Sequence, residues 1–536
     1  MEALAEFFTG LLSRVATMLE RVNVDAEKIV DVLSYDPAQP LMFNTGLFML
    51  LFTAFMLIFW MVKGIRVLKM TLVILFSLYF YYKSSGMCCL ILLGVCLSDF
   101  ILGLLMEQAS RRSLAWAKRL IVGLNVAVNV GMLAYFKYFN LILDTLSNFF
   151  TMEISVETLL LPAGISFFTF RSISYIVDLY RGQTSACHNL FDYIFFLTFF
   201  PPLLAGPVVR AKDFLPQVKG NPVVTPAMTS EGIFLIITGL IKKVVIADFI
   251  SGNFVERVFD NPALYSGFEN LMATFGFTVQ LYCDFSGYSD MAIGIALLMG
   301  YRFLENFNAP FKAQNPTEFW HRWHISLSTW LRDYVYIPLG GNRCSRPRMY
   351  FNQFATMVIG GLWHGASWMY VIWGAIHGGL LVLHKMLRRL FPLQVARTVV
   401  TESGEVMVVG SGIPPTSWMA PFIKGFNMLL TFFLVAVTFM FFRAPSLEDV
   451  GMMWHQILFD FHLSVAPQFV ESYLSIVLLI VGAYVVHISP SRLTGRVRTL
   501  FETAPAIVQA IIFALVILIV IQVRQSDIVP FIYLQY

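Results

Sequence analysis

Long apolar runs, separated by short polar stretches, recur along the whole 536-residue chain. A helix needs about 20 mainly apolar residues to cross the hydrocarbon core of a bilayer, and many of these runs approach that length. The runs lie near 45–62, 69–83, 87–106, 120–142, 158–180, 190–206, 231–249, 268–300, 352–384, 421–442, 472–488 and 505–523. The pattern predicts an all-α polytopic membrane protein with about 12 spans, and the runs 268–300 and 352–384 have room for a bend or a second segment.

The first 24 residues have a different periodicity. Apolar side chains recur there at helical spacing around the charged Glu6 and Arg14, which favours an amphipathic helix on the membrane surface or against the protein's own rim. A cleavable signal peptide would have a positive start and a continuous apolar core. We therefore divide the chain into an interfacial segment 1–40, a transmembrane domain 41–524 with its motifs at 160–380, and an aromatic tail 525–536.

Composition supports the membrane assignment. Hydrophobic residues make up 57% of the chain and charged residues 13%, whereas soluble domains have about 25% charged residues. The net charge of +4 is too small to indicate a nucleic-acid partner. The six cysteines lie mostly in apolar runs without the spacing of a disulfide framework or a metal site, so we expect free thiols.

The distribution of charge predicts an orientation. Basic loops at 63–69 and 111–119 alternate with short or acidic connections, which by the positive-inside tendency places the N-terminus outside. Arg492, Arg496 and Arg498 are then cytoplasmic, and the C-terminus is outside, which requires an even number of spans. Residues 301–350 contain seven basic and three acidic side chains and are expected at the cytoplasmic face. The Gly- and Pro-rich stretch 391–420 predicts a loop or hairpin.

Histidines in apolar surroundings are the first candidates for chemistry. His364 lies among small residues and tryptophans at 360–368, and an ionisable group at membrane depth usually lines a cavity, does chemistry or is hydrogen-bonded in the core. The GxxxG spacing around His377 favours helix packing instead. His321 and His324 have a spacing that a metal could use, but no cysteine or carboxylate completes a set, and we predict no metal site.

Two further stretches, 162–182 and 282–290, carry polar groups into apolar runs. A charge placed mid-membrane costs on the order of 3 kcal/mol, so these side chains must be paired or must face water. Arg171 with Asp284 or Asp290 is one candidate pair. Structural pairing is the simpler role for each of these residues taken alone.

Five segments together resemble a known family. They are GISFFTFRSISYIVDLYRG, FFPPLLAGPVVRAKDFLPQ, YCDFSGYSDMAIGIALLMGYRFLENFNAPF, FWHRWHISLSTWLRDYVYIPLGGNR and GLWHGASWMYVIWGAIHG, in this order between 160 and 380. The set resembles bacterial membrane-bound O-acyltransferases, most closely the branch that acetylates exported polysaccharides such as alginate. The resemblance implies a ring of helices around a central tunnel, with a thioester donor entering from the cytoplasm.

The resemblance also implies roles for individual residues. It places the family's invariant histidine at His364 and a second active-site position at His324. His364 would be the general base on an acceptor hydroxyl that attacks acetyl-CoA or a phosphopantetheine carrier, with no bound cofactor, and His324 or Trp323 would orient the thioester and stabilise the oxyanion. The residues expected at the tunnel, its mouth or the donor phosphates are Arg210, Gln217, Arg322, Arg332, Ser166, Asp284, Ser286 and Asp290.

The tail from Pro530 to Tyr536 is too apolar and aromatic for a free end. It would anchor the chain at the headgroup level, or, by resemblance to the C-terminal tyrosine motif of some relatives, Tyr533 would be an acyl relay. The resemblance further implies an extracellular SGNH hydrolase-like partner and a cell-surface polysaccharide acceptor. Transfer of D-alanine to teichoic acid, a non-enzymatic transporter and a structural scaffold are the alternatives, although the chain has no inverted repeat of the kind that many transporters have.

Overall fold

The computed structural model describes residues 26–150, 161–220, 222–390, 397–400, 406–409 and 418–523. The predicted amphipathic helix at 1–24 and the tail with Tyr533 lie outside the described residues. In the described chain almost all regular structure is helical. All six cysteines are free, as the sequence predicted.

The helices of the first part of the chain are α1 (Ala26–Leu33), α2 (Gly46–Val62), α3 (Arg66–Ser85), α4 (Cys89–Arg111), α5 (Ala115–Leu133), α6 (Phe139–Phe150), α7 (Ile165–Tyr180), α8 (Leu190–Thr198), α9 (Ala211–Lys219), α10 (Pro226–Leu240), α11 (Glu256–Asp260) and α12 (Gly267–Leu298). Those of the second part are α13 (Pro316–Arg322), α14 (Ile325–Leu331), α15 (Arg346–His364), α16 (Trp368–Leu390), α17 (Ala420–Arg443), α18 (Leu447–Phe459), α19 (Ala466–Ser472), α20 (Leu474–Ile488), α21 (Ser491–Glu502) and α22 (Ala506–Val523). Short π-helical stretches, among them Ile241–Asp248, continue several of them.

Five continuous helical segments in the described chain are long and apolar enough to cross a membrane. They are Arg66–Arg111, Ala115–Ser147, Trp368–Leu390, Ala420–Arg443 and Ala506–Val523. A sixth is obtained if Leu463–Ser472 and Leu474–Ile488, which meet at a bend of 98°, form one span. These helices confirm an all-α membrane protein, and the larger count of spans stays a prediction.

The two longest apolar runs have different outcomes. The run 268–300 forms the single 32-residue helix α12, without a break. The run 352–384 forms the helical hairpin of α15 and α16. These two helices pack closely at a pair of glycines, because a β-carbon on Gly374 would lie only 2.6 Å from the Met357 carbonyl oxygen and 3.0 Å from the Cα of Gly361. The stretch 391–420 contains the strands β1 (Arg397–Val400) and β2 (Val406–Val409), paired antiparallel with Arg397 opposite Val409, so the predicted hairpin is confirmed.

The described chain divides into two compact units, one from 26–232 and 291–302, the other from 233–290 and 303–523. In the first unit the carboxylate of Asp99 on α4 is buried and accepts three hydrogen bonds of 2.8 Å. The donors are Asn125 on α5, Ser172 on α7 and Tyr193 on α8. One buried carboxylate therefore ties four helices together, which satisfies a group that would otherwise be costly to bury.

Candidate active site

His324 lies at a strained turn in the second unit. Its backbone has φ +42° and ψ +57°, the left-handed region that a non-glycine residue adopts at a cost of order 1–3 kcal/mol. Asn306 holds this turn, because its carbonyl oxygen accepts from the Ile325 N–H at 2.8 Å and its side-chain Oδ1 accepts from the Ser326 N–H at 3.2 Å. The His324 side chain is completely buried.

The same asparagine determines which nitrogen of His324 carries the proton. Asn306 Oδ1 also accepts from the Ser326 hydroxyl at 2.8 Å, and Nδ2 donates to Ser289 Oγ at 3.1 Å, so the orientation of the amide is fixed. Because Oδ1 is an acceptor, its 3.1 Å contact with His324 Nδ1 requires an Nδ1–H. Nε2 then carries the lone pair, and it is buried without a hydrogen-bond partner in the part of the chain that the structure describes.

Burial lowers the pKa of the His324 imidazole to about 3. The ring is therefore neutral at neutral pH, with Nε2 as a hydrogen-bond acceptor or proton acceptor. This tautomer has no Nε2–H to donate. It favours an accepting role for His324 over the donation to an oxyanion expected from the sequence.

His364 is the last residue of α15 and is also buried. Aromatic rings surround its imidazole, with centroid separations of 5.0 Å to Trp363, 4.9 Å to Trp373 and 5.3 Å to Phe442. The negative end of a helix dipole lies at the helix C-terminus and stabilises a positive charge there.

One indole connects the two histidines. The Trp363 ring lies 5.8 Å from the His324 ring and 5.0 Å from the His364 ring, between centroids. Phe285 closes the other side of His324 at 4.5 Å, edge to face. The structure thus brings together, in a buried aromatic environment, the two histidines that the sequence selected.

His377 has the structural role that its GxxxG spacing predicted. Trp320 Nε1–H donates to His377 Nδ1 at 3.3 Å, so Nε2 carries the proton and donates to Thr438 Oγ1 at 2.9 Å. With both nitrogens engaged, the ring packs 4.7 Å from Trp373, which in turn contacts His364. His321 is exposed whereas His324 is buried, and the described residues contain no group of three or more side chains placed to hold a metal ion.

The two predicted aspartates of α12 are ion-paired in the second unit. Asp284 lies 2.7 Å from Lys243 Nζ, and Asp290 lies 2.6 Å from Lys242 Nζ, while Ser286 between them is buried. Lys243 also pairs with Asp248 at 2.8 Å. The sequence analysis did not select these two lysines. Their position inside the apolar run 231–249, where a charge needs a partner, could have indicated them.

The candidate pairing of Arg171 with an aspartate of α12 is replaced by other contacts. Arg171 lies in the first unit, where its guanidinium donates to the Phe196 carbonyl oxygen. The two aspartates have lysine partners instead. The sequence identified these groups as requiring partners, but a chain of 536 residues offers too many combinations for the partner to be read from spacing.

The residues expected at the donor's phosphates have partners of their own. Arg322 donates to Glu318 at 2.9 and 3.0 Å, and the more exposed Arg332 donates to Asp333 at 2.7 Å. Trp323 is buried against aromatic rings, with Phe307 at 5.2 Å. These contacts leave a phosphate-binding role for the two arginines as a prediction.

Three predicted residues lie in the first unit. Gln217 on α9 donates to the Arg302 carbonyl at 3.0 Å and accepts from the Arg302 N–H at 2.9 Å, so its amide fastens the turn after α12. Arg210 is half-buried at the start of α9, and Ser166 is buried in the first turn of α7. The sequence had not indicated this fastening role for Gln217.

Comparisons with known proteins identify the family. The model of the membrane-bound O-acyltransferase family matches residues 129–400. A probable alginate O-acetylase of Pseudomonas aeruginosa is 41% identical over 428 residues, which are 78% of this chain and 75% of that protein. A peptidoglycan O-acetyltransferase of Helicobacter pylori is 36% identical, with 58% of this chain and 63% of that protein covered. A teichoic acid D-alanyltransferase of Bacillus subtilis is 30% identical, with 42% and 59% covered. This chain therefore belongs to the membrane-bound O-acyltransferase family.

Proposed function

We propose that this membrane enzyme transfers an acetyl group from a cytoplasmic thioester donor to hydroxyls of an exported cell-surface polysaccharide. The observation that carries the proposal is that the buried rings of His324 and His364 both contact the indole of Trp363. Asn306 fixes the tautomer of His324. The relatives that acetylate alginate and peptidoglycan support acetyl as the group and a polysaccharide as the acceptor.

The two histidines divide the proton chemistry. His364 takes the proton of the attacking hydroxyl, whose oxygen bonds to the thioester carbonyl carbon. The tetrahedral intermediate expels the thiolate, and the imidazolium of His364 returns the proton to that sulfur. His324 stays neutral, and its Nε2 accepts a hydrogen bond that orients the substrates. Trp323 limits the space beside them.

The donor is acetyl-CoA or a phosphopantetheine carrier, and its phosphates meet Arg210, Arg322 and Arg332 through charge-assisted hydrogen bonds. About 12 spans surround a tunnel in the bacterial inner membrane, with both termini outside. Ser166, Gln217 and the polar residues of α12 support its walls. Tyr533 is an acyl relay on the outer side, and an SGNH hydrolase-like partner completes transfer to the polysaccharide.

The experiment is acetyl transfer by the protein reconstituted in liposomes with labelled acetyl-CoA. His364→Ala should lower the turnover number by about 100-fold or more, because it removes the general base. His455→Ala on the exposed face of α18 is the matched control and should retain wild-type turnover. Full turnover in a folded His364→Ala protein would contradict the assignment.

Transfer of D-alanine to teichoic acid is the second candidate, favoured by the identity with the Bacillus subtilis enzyme. The two donors are distinguished by offering acetyl-CoA and a D-alanyl-carrier thioester separately to the same liposomes. Thioester cleavage with only the D-alanyl donor would replace the acetyl proposal. Flux of solute without cleavage of either thioester would indicate a transporter.

A further inference from the structure

A cavity of about 440 Å³ lies in the second unit, and neither His324 nor His364 is among the residues that line it. Its walls come from α12, the π-helical stretch Ile241–Asp248, the turn at 309–312 and α20. Most of the lining is apolar, including Ile246, Val279 and Leu479. None of the described residues that line it is aspartate or glutamate.

Helix α20 forms the exposed side of the cavity. Its outward residues Leu478 and Val486, which also line the cavity, are 62% and 64% exposed. Between them lies Gly482, where an added β-carbon would meet nothing within 4 Å. An apolar chain can therefore enter the cavity beside Gly482 from the hydrocarbon.

Basic side chains lie at another part of the lining. Lys312 Nζ donates to the Ser489 carbonyl at 2.6 Å, and Lys242 Nζ pairs with Asp290 at 2.6 Å. An ammonium has three N–H donors, so each lysine retains two beyond these contacts. Lys242 and Lys312 can therefore donate to an anionic group while keeping the partners that hold them.

Helix α21 indicates the depth of this polar end in the membrane. Its apolar residues Leu493, Val497 and Leu500 are 53%, 54% and 71% exposed, and Arg492 and Arg496 are exposed beside them. Such a basic amphipathic helix lies in the plane of the headgroups. Thr494 of this helix lines the cavity. We therefore infer that the polar end of the cavity lies at headgroup depth and the apolar part in the hydrocarbon.

We propose that this cavity binds one anionic glycerophospholipid of the surrounding membrane. Its phosphate accepts hydrogen bonds from Lys242 and Lys312, and one acyl chain lies along Gly482. A zwitterionic lipid would bring its own ammonium group close to these two lysines, which disfavours it. The bound lipid connects α20 to α12 through the Lys242–Asp290 pair. Binding of this lipid does not depend on the proposed acetyl transfer.

The test uses the full-length protein reconstituted in vesicles of equal parts phosphatidylglycerol and phosphatidylcholine. The protein is extracted from these vesicles, and native mass spectrometry identifies the lipid that stays bound to it. The wild-type protein should retain one phosphatidylglycerol, with a preference of about fivefold or more over phosphatidylcholine. Gly482→Leu should abolish the retained lipid, because its side chain would occupy the entrance of the cavity at this exposed position. Lys312→Gln should reduce the preference to less than about twofold.

Two matched controls separate this site from general lipid contact. Gly425→Leu on α17 changes a helical glycine that also has open space around it, and Lys424→Gln removes an exposed lysine of the same helix. Both should retain the wild-type lipid. Equal retention of the two lipids by the wild-type protein, or an undiminished preference for phosphatidylglycerol in Lys312→Gln, would overturn the proposal. Competition by glycerol 1-phosphate as effective as that by the whole lipid would also overturn it, because the acyl chain would then have no part in binding.

Discussion

Replacing Asn306 by alanine should impair the reaction without touching either histidine. The Asn306 side chain accepts hydrogen bonds from His324 Nδ1–H and from the N–H and hydroxyl of Ser326, and it donates one to Ser289. Leaving a buried donor without its acceptor costs about 1–3 kcal/mol. The His324 N–H is fully buried, so we expect a loss of about 2–4 kcal/mol in the free energy of unfolding, measured in detergent.

The effect on turnover follows from the tautomer. Without Oδ1, the proton of His324 can move from Nδ1 to Nε2, and the ring also loses the bond that orients it. We expect the turnover number of Asn306→Ala to fall about 100-fold, equivalent to about 2.7 kcal/mol of activation free energy. KM for the thioester should change much less. Both quantities are measured by acetyl transfer in liposomes over a range of pH.

Asn306→Asp separates positioning of His324 from general loss of packing. A carboxylate still accepts from His324 Nδ1–H and from Ser326, and its negative charge raises the pKa of the imidazole above the wild-type value of about 3. Turnover should remain within about tenfold of wild type at high pH, and the acidic limb of the pH profile should move to higher pH. Wild-type turnover in Asn306→Ala would contradict the role given to Asn306. An acidic limb in Asn306→Asp at the same pH as in the wild type would also contradict it.

Three further predictions concern stability, each measured by thermal unfolding in detergent. Lys243→Met leaves Asp284 buried without its countercharge and should cost about 3–5 kcal/mol; an unchanged melting temperature would contradict the pairing. Gly374→Ala brings a methyl group within 2.6 Å of a backbone carbonyl of α15 and should cost about 1–3 kcal/mol, whereas Gly379→Ala on the same helix has open space and should be neutral or slightly stabilising. The pKa of His324 is 6.5 in the unfolded chain and about 3 in the folded protein, so between these values the unfolded state binds more protons. The free energy of unfolding should therefore fall as the pH is lowered from 6.5 to 3. It should fall less steeply in His324→Gln, which lacks this group.

The sequence was informative where local pattern decides structure. Apolar runs predicted the helical membrane class, and the break between α15 and α16 falls at Gly365 to Ser367, inside the run that was long enough for two segments. Run length also allowed a break in the run 268–300, but the structure has a single helix of 32 residues there, α12. Run length alone does not distinguish these cases. Helix α15 ends immediately after His364, where Gly365 has an extended backbone, whereas the small and polar residues of α12 at 283–290 remain helical.

The candidate site was predictable in its histidines but not in their protonation. Asn306 precedes His324 by 18 residues, and the two meet where the chain takes a left-handed turn at His324. No spacing rule indicates that contact. Likewise Lys243 is 41 residues from Asp284, so the sequence required a partner for the buried carboxylate without identifying it.

The proposed roles of the two histidines differ because their positions in the fold differ. His324 is held in one tautomer by an acceptor, and burial lowers its pKa so far that taking a proton there would be costly. His364 ends a helix, where the helix dipole stabilises a positive charge, and this position supports its proposed role as the general base. If both histidines served as bases, either could replace the other; with the roles divided, neither can. The loss of turnover in the double variant His324→Gln with His364→Gln should therefore be far smaller than the product of the two single losses, because removing one partner already disables the reaction that the other supports.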